Sequence, residues 1–169
     1  MDNLQWIKEL VHSELAMQEN GQTSRDLEFT TPESLHDDTL AFLSDLKSRF
    51  VAACSAFNQI KGSSHGRIKI YGIAKTDADF MLFRNGFKLI FSLNAPGKVV
   101  ASFNHVTVKT LPGQDPAPMK KIDEDLFVAQ WKAFGQLFWT HQEQEIDREY
   151  LIRHYLSRFI RLSASLPHK

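Results

Sequence analysis

Between residues 67 and 108 apolar side chains recur at every second position, and on both flanks they recur at every third or fourth. A period of two puts alternate side chains on opposite faces of a strand, and a period near 3.6 puts them on one stripe of a helix. The pattern therefore predicts helices, then a sheet, then helices. In the central block a strand is expected at 67–74, where Ile68 and Ile70 alternate with Arg67, Lys69 and Tyr71. Further strands are expected at about 79–84, 87–93 and 98–108. Phe87, Leu89, Phe91 and Leu93 share one face of the third, opposite Lys88, Ile90 and Ser92; Val99, Ala101 and Phe103 oppose Lys98, Val100 and Ser102 in the fourth. Asn85-Gly86 marks a tight hairpin, because both central residues of a type I′ turn need positive φ. Asn94-Ala95-Pro96-Gly97 marks the next reversal. The four strands form an antiparallel meander with one apolar face and one mixed, basic face.

The flanks carry the helices. Residues 2–19 place Leu4, Ile7, Val11 and Leu15 on one stripe, widened by Trp6, Leu10 and Met17. A polar loop, 20–31, follows. A second helix is expected from about 33 to 61, with Thr31 as N-cap and Pro32 at its first position. Leu43, Leu46, Phe50, Ala53, Phe57 and Ile60 recur at gaps of three and four, a seven-residue repeat, in this helix of ~43 Å. Such a seam either spans the sheet as core or pairs in part with a second copy. Residues 110–121, with Pro112, Pro116 and Pro118, form a linker. A third helix is expected to carry Leu126, Phe127, Trp131, Phe134, Phe138 and Trp139, with Asp123, Glu124 and Asp125 at its N-terminus, where the helix dipole favours negative charge. A final helix is expected over about 143–164. At 169 residues all of this fits a single domain, 1–169.

The charge pattern changes this picture. The net charge is zero, but residues 1–49 hold ten acids and four bases, residues 50–121 three acids and ten bases, and residues 122–169 seven acids and six bases. The strand block is basic and the first helical block acidic. Either the two fields cancel by packing side by side, or the basic face recruits an acidic partner. Thirteen Phe imply a core built on large rings. No apolar run reaches the roughly 20 residues that cross a bilayer, so no membrane partner is expected. Cys54 is the only cysteine, which excludes an internal disulfide and a cysteine-rich zinc site. With no signal-like N-terminus, a cytoplasmic location is expected.

No catalytic motif emerges. Gly62-Ser63-Ser64-His65-Gly66 lies between a helix and a strand, the reverse of the order a phosphate-binding loop needs. Asp77 and Asp79, with His65, could serve acid–base chemistry or hold a cation, but an Asp-rich stretch is equally a turn composition. Seven histidines form no paired metal-ligand spacing on a helix. No cofactor and no metal is therefore expected. Two groups carry the candidate binding chemistry. Arg67, Lys69, Tyr71 and Lys88 share the less apolar sheet face, and His154, Arg158 and Arg161 fall at i, i+4 and i+7 on the final helix. The expected fold is α+β, a four-stranded antiparallel meander sheet covered on one face by N- and C-terminal helices. The expected function is a non-catalytic protein-binding or regulatory module acting through its polarised surface, by a protein partner or self-association. Nucleic-acid binding by the basic sheet face stands second, and a small enzyme near Asp77, Asp79 and His65 third.

Overall fold

The computed structural model of the chain describes residues 4–20, 32–73, 78–106 and 120–164. Within them the chain runs α1 (Gln5–Asn20), α2 (Pro32–Lys61), β1 (Lys69–Gly72), β2 (Phe80–Arg84), β3 (Phe87–Ala95), β4 (Lys98–His105), β5 (Lys120–Trp131), β6 (Leu137–His141), β7 (Gln144–Glu145) and α3 (Arg148–Ser163). The strands form one antiparallel sheet in sequential order. The class is α+β as expected, with seven strands rather than four.

The first three hairpin strands follow their sequence signals. Asn85 and Gly86 have φ of 50° and 81°, so the β2–β3 turn is the left-handed pair that Asn-Gly favours. Gly97 has φ of 78° behind Pro96, the type II pattern, between Ala95 and Lys98 of β3 and β4. Phe80, Leu82, Leu89, Phe91, Val99, Ala101 and Phe103 are all buried on one face of the sheet. Helices α2 and α3 contact the sheet on that face.

The expected third helix is instead the β5–β6 hairpin. Phe127, Trp131, Phe134 and Phe138 happen to be spaced by four, three and four, but residues 123–130 also alternate. Asp123, Asp125, Phe127 and Ala129 face the helices, while Glu124, Leu126, Val128 and Gln130 face away. A ladder along the whole of β4 satisfies the backbone groups that would otherwise sit at a long exposed edge. The final helix starts at Arg148, because Gln144–Glu145 pair with His141 and Thr140 and Asp147 takes the N-cap. Asp147 Oδ1 accepts from the amides of Glu149 (2.9 Å) and Tyr150 (3.1 Å). Thr31, Ala74, Asp77, residues 107–108 and most of the 110–121 linker lie outside the described residues.

Rings fill the core. Phe80 stacks on Phe91 with centroids 5.2 Å apart, and Phe50 of α2 packs against both. Tyr155 of α3 meets Phe91, Phe103 and Phe127. Trp139 stacks on Phe42 at 4.1 Å, and Arg148 covers Phe42 at 5.0 Å. Three polar ties fix the helices to the sheet. Thr39 Oγ1 accepts from Gly97 N (2.8 Å) while donating to Leu35 O (2.6 Å). The Asn58 amide bonds both backbone groups of Ile68. Buried Arg84 donates to Gly66 O (2.8 Å) and Ile160 O (3.3 Å), and Asn85 Nδ2 donates to Ser163 O (2.7 Å), so the β2–β3 turn caps the end of α3.

The seven-residue seam of α2 is core for its first half only. Leu43, Leu46 and Phe50 are fully buried, Ala53 and Phe57 partly, and Ile60 is 86% exposed. A straight helix drifts off a strict seven-residue repeat, and Phe42 and Cys54 accordingly join the buried face. Burial pushes the Cys54 thiol up to about 12, which leaves it inert.

Candidate interaction surface

The sheet face turned away from α2 and α3 bears no helix among the described residues. Its side chains form cross-strand rows. Lys69, Phe83, Lys88 and Asn104 stand opposite one another from β1 to β4, and Tyr71, Met81, Ile90, Ser102 and Glu124 make the next row. Ser92, Val100 and Leu126 follow, then Lys98, Val128 and Thr140. Tyr71 and Leu126 are each more than 40% exposed, and Met81, Phe83, Ile90, Val100 and Val128 are half-buried. The centre of the face is apolar and its β1–β4 side carries the lysines. Lys121 pairs with Glu124 at the β5 side. Among the described residues, no carboxylate pairs with Lys69, Lys88 or Lys98.

Of the sequence-predicted set, Lys69, Tyr71 and Lys88 thus share this face, with exposed Arg67 just ahead of β1. His154, Arg158 and Arg161 do share one groove along α3, of about 600 Å³, with Tyr150, Arg153 and Leu162. That groove is on the helix side of the sheet, so the two predicted groups do not form one surface. Arg158 is also engaged: its Nη1 lies 2.7 Å from Asp123 Oδ2 and its guanidinium 4.6 Å above the Phe103 ring. The bond from Arg158 holds the Asp123 carboxyl below the usual carboxylate range, helped by the Glu124 amide. Arg153 is tied to Glu149 at 2.6 Å.

His65 and Asp79 lie at opposite ends of the β1–β2 hairpin. Gly66, next to His65, is bonded by Arg84 at the end of β2, whereas Asp79 precedes β2 and its carbonyl accepts from Ile73. Four residues of strand, about 13 Å, separate the two ends. Asp79 is buried, and its Oδ1 accepts from Leu93 N at 2.9 Å, which makes it a turn-fixing group. Among the described residues no three His, Cys, Asp or Glu side chains converge to hold a metal ion.

Two surface features stand out for their exposure. Helix α1 keeps its apolar stripe in solvent: Leu4, Trp6, Ile7, Leu10, Val11 and Leu15 are each 39–59% exposed. Phe134 at the β5–β6 tip is fully exposed with φ of 63°, a left-handed conformation that a bulky residue rarely adopts. No family model, no curated protein and no solved structure matches this chain.

Proposed function

We propose that this chain is a non-catalytic protein-binding module whose open sheet face holds an acidic amphipathic helix, and that the helix it holds is α1 of a second copy. The carrying observation is that two complementary surfaces are both exposed in one molecule. A 16-residue helix is marginal in water without a packed apolar face, and among the described residues the α1 stripe stays 39–59% exposed. The outer sheet face offers Met81, Ile90, Val100 and Leu126 as an apolar floor. Glu9, Glu14 and Glu19 of α1 outnumber its single Lys8, and Glu14 falls on the stripe itself by helical geometry. Lys69, Lys88 and Lys98 supply the opposite charge.

Geometry favours a second copy over the same one. Glu9 of α1 lines a cleft with Asp38 and Phe42 of α2, on the helix side of the sheet. Mutual exchange between two copies leaves that arrangement intact and makes a two-fold, self-complementary interface. It also doubles the area that one helix would bury.

Sedimentation tests the reading. The wild type should show a concentration-dependent mass that Val11→Glu, Leu15→Glu and Ile90→Glu each reduce to monomer, because all three sites lie outside the core. A monomer at every concentration would reject self-association. Phe83 between Lys69 and Lys88 also gives the face the ring-and-cation layout of a single-strand binder. Tight, salt-sensitive oligonucleotide binding, lost in Lys69→Glu, would replace the helix reading with that one.

A further inference from the structure

We infer that the cleft between the inner ends of β5 and β6 and the first turns of α3 binds a small organic ammonium ion. The cleft has a volume of about 390 Å³, the size of a small-molecule site. Its walls are rings, Phe127, His141, Tyr150, His154 and Tyr155, and its anionic groups are Asp125 and Asp147; neither Lys nor Arg lines it. Aromatic faces and carboxylates are the chemistry that recognises ammonium groups, and the guanidinium of Arg153, 5.6 Å from the Tyr150 ring, is tied to Glu149.

The polar geometry points the same way. Tyr155 donates its hydroxyl to Asp125 Oδ2. Burial and this carboxylate push the phenol upward, so it stays a donor. His141 Nδ1 lies 3.2 Å from Leu126 O, a carbonyl that can only accept, so Nδ1 carries the proton in the neutral ring. The tautomer is assigned from that bond. His141 Nε2 is then an acceptor, and it faces Asp125 Oδ1 at 4.0 Å. With these two acceptors 4.0 Å apart there is room for a shared donor, and an ammonium with several N–H groups supplies one to each. Asp147 spends Oδ1 on two α3 amides and Asp125 spends Oδ2 on Tyr155, which leaves Asp125 Oδ1, facing His141, as the anionic oxygen among the rings. Tyr150, 70% exposed, forms the outer side, with the Arg153 guanidinium 5.6 Å from its ring.

The test compares benzylammonium, benzyl alcohol and benzoate by NMR titration at pH 8, where an ordinary histidine ring is neutral. Benzylammonium should shift signals of Phe127, His141 and Tyr150 at millimolar concentration, with the alcohol and the carboxylate at least about tenfold weaker. Asp125→Asn should weaken benzylammonium by a similar factor. Tyr150→Ala, a surface change that leaves the core untouched, should weaken it severalfold. Equal or tighter binding of benzoate or benzyl alcohol, no saturable shift with benzylammonium, or unchanged affinity in a folded Tyr150→Ala protein would overturn the assignment.

Discussion

Arg158 Nη1 lies 2.7 Å from Asp123 Oδ2, and this bond joins α3 to the helix-facing side of β5. Both side chains are partly solvated, so the pair contributes about 0.2–1 kcal/mol. Its pH dependence follows from the direction of the Asp123 shift. The folded carboxyl is held below its unfolded value of about 3.9. The stability is therefore present above that value and is lost as pH falls through the lower folded value. Urea midpoints of wild type and Arg158→Ala should differ at pH 7, and the gap should narrow towards pH 2. A gap that widens in acid would contradict the pairing. A residue of the gap should persist, since Arg158 also covers Phe103.

Gly86 has φ of 81°, and a Cβ there would lie 3.1 Å from Val106 O. Gly86→Val should lower stability by at least roughly 1–2 kcal/mol, the cost of a side chain in left-handed backbone. Unchanged thermal unfolding would contradict the turn. Gly97→Ala should cost a similar amount, because φ is 78° and Leu35 Cδ2 is 3.2 Å away.

Phe50 and Ile60 share one heptad stripe in sequence, yet the first is fully buried and the second 86% exposed. Phe50→Ala should cost about 3–5 kcal/mol. Ile60→Ala should stay within about 0.5 kcal/mol. Equal costs at the two sites would mean that the seam is buried along its whole length, as a coiled-coil pairing of α2 would require.

Arg84 is buried and serves carbonyls at both ends of its reach, Gly66 O and Ile160 O, while stacking 5.3 Å from Phe57. Burial lowers its pKa, and neighbouring carbonyl dipoles offset the cost of the charge. Arg84→Met keeps the stem and removes the donors. It should cost about 1–3 kcal/mol and raise hydrogen exchange in the last turn of α3 first. Loss of protection in β3 before α3 would contradict a capping role.

The elements readable from sequence were those whose signal is local. Asn85-Gly86 and Pro96-Gly97 dictate their own φ values, and the period-two alternation of β3 and β4 places Leu89, Phe91, Val99, Ala101 and Phe103 on the buried face. The co-facial placement of Lys69, Tyr71 and Lys88 follows from the same periodicity. Residues 120–141 carry helix and strand signals at once, and only tertiary context decides between them. Asp123 and Asp125 look like a helix N-terminus, and only α3, which brings Arg158 and Tyr155 to them, makes acids tolerable on the inner face of a strand. The separation of the α3 groove from the sheet lysines depends on which side of the sheet α3 packs, and no local pattern encodes that. The Asp125–His141–Tyr155 cleft joins three segments and has no sequence spacing to betray it.

The proposed contact between α1 of one copy and the outer sheet face of another can be tested by direct capture. Val11 and Ile90 lie at the centres of the two surfaces, and Cys54 is buried with its thiol pushed up to about 12, so it does not interfere. Val11→Cys and Ile90→Cys proteins, prepared separately and mixed under mild oxidation, should form a disulfide-linked heterodimer faster than either variant links to itself. Val51→Cys, on the exposed side of α2, serves as the reference in place of Ile90→Cys. A Val11–Ile90 heterodimer well above that reference is the predicted result. Yields equal to the reference would contradict the docking of α1 on the sheet of a second copy.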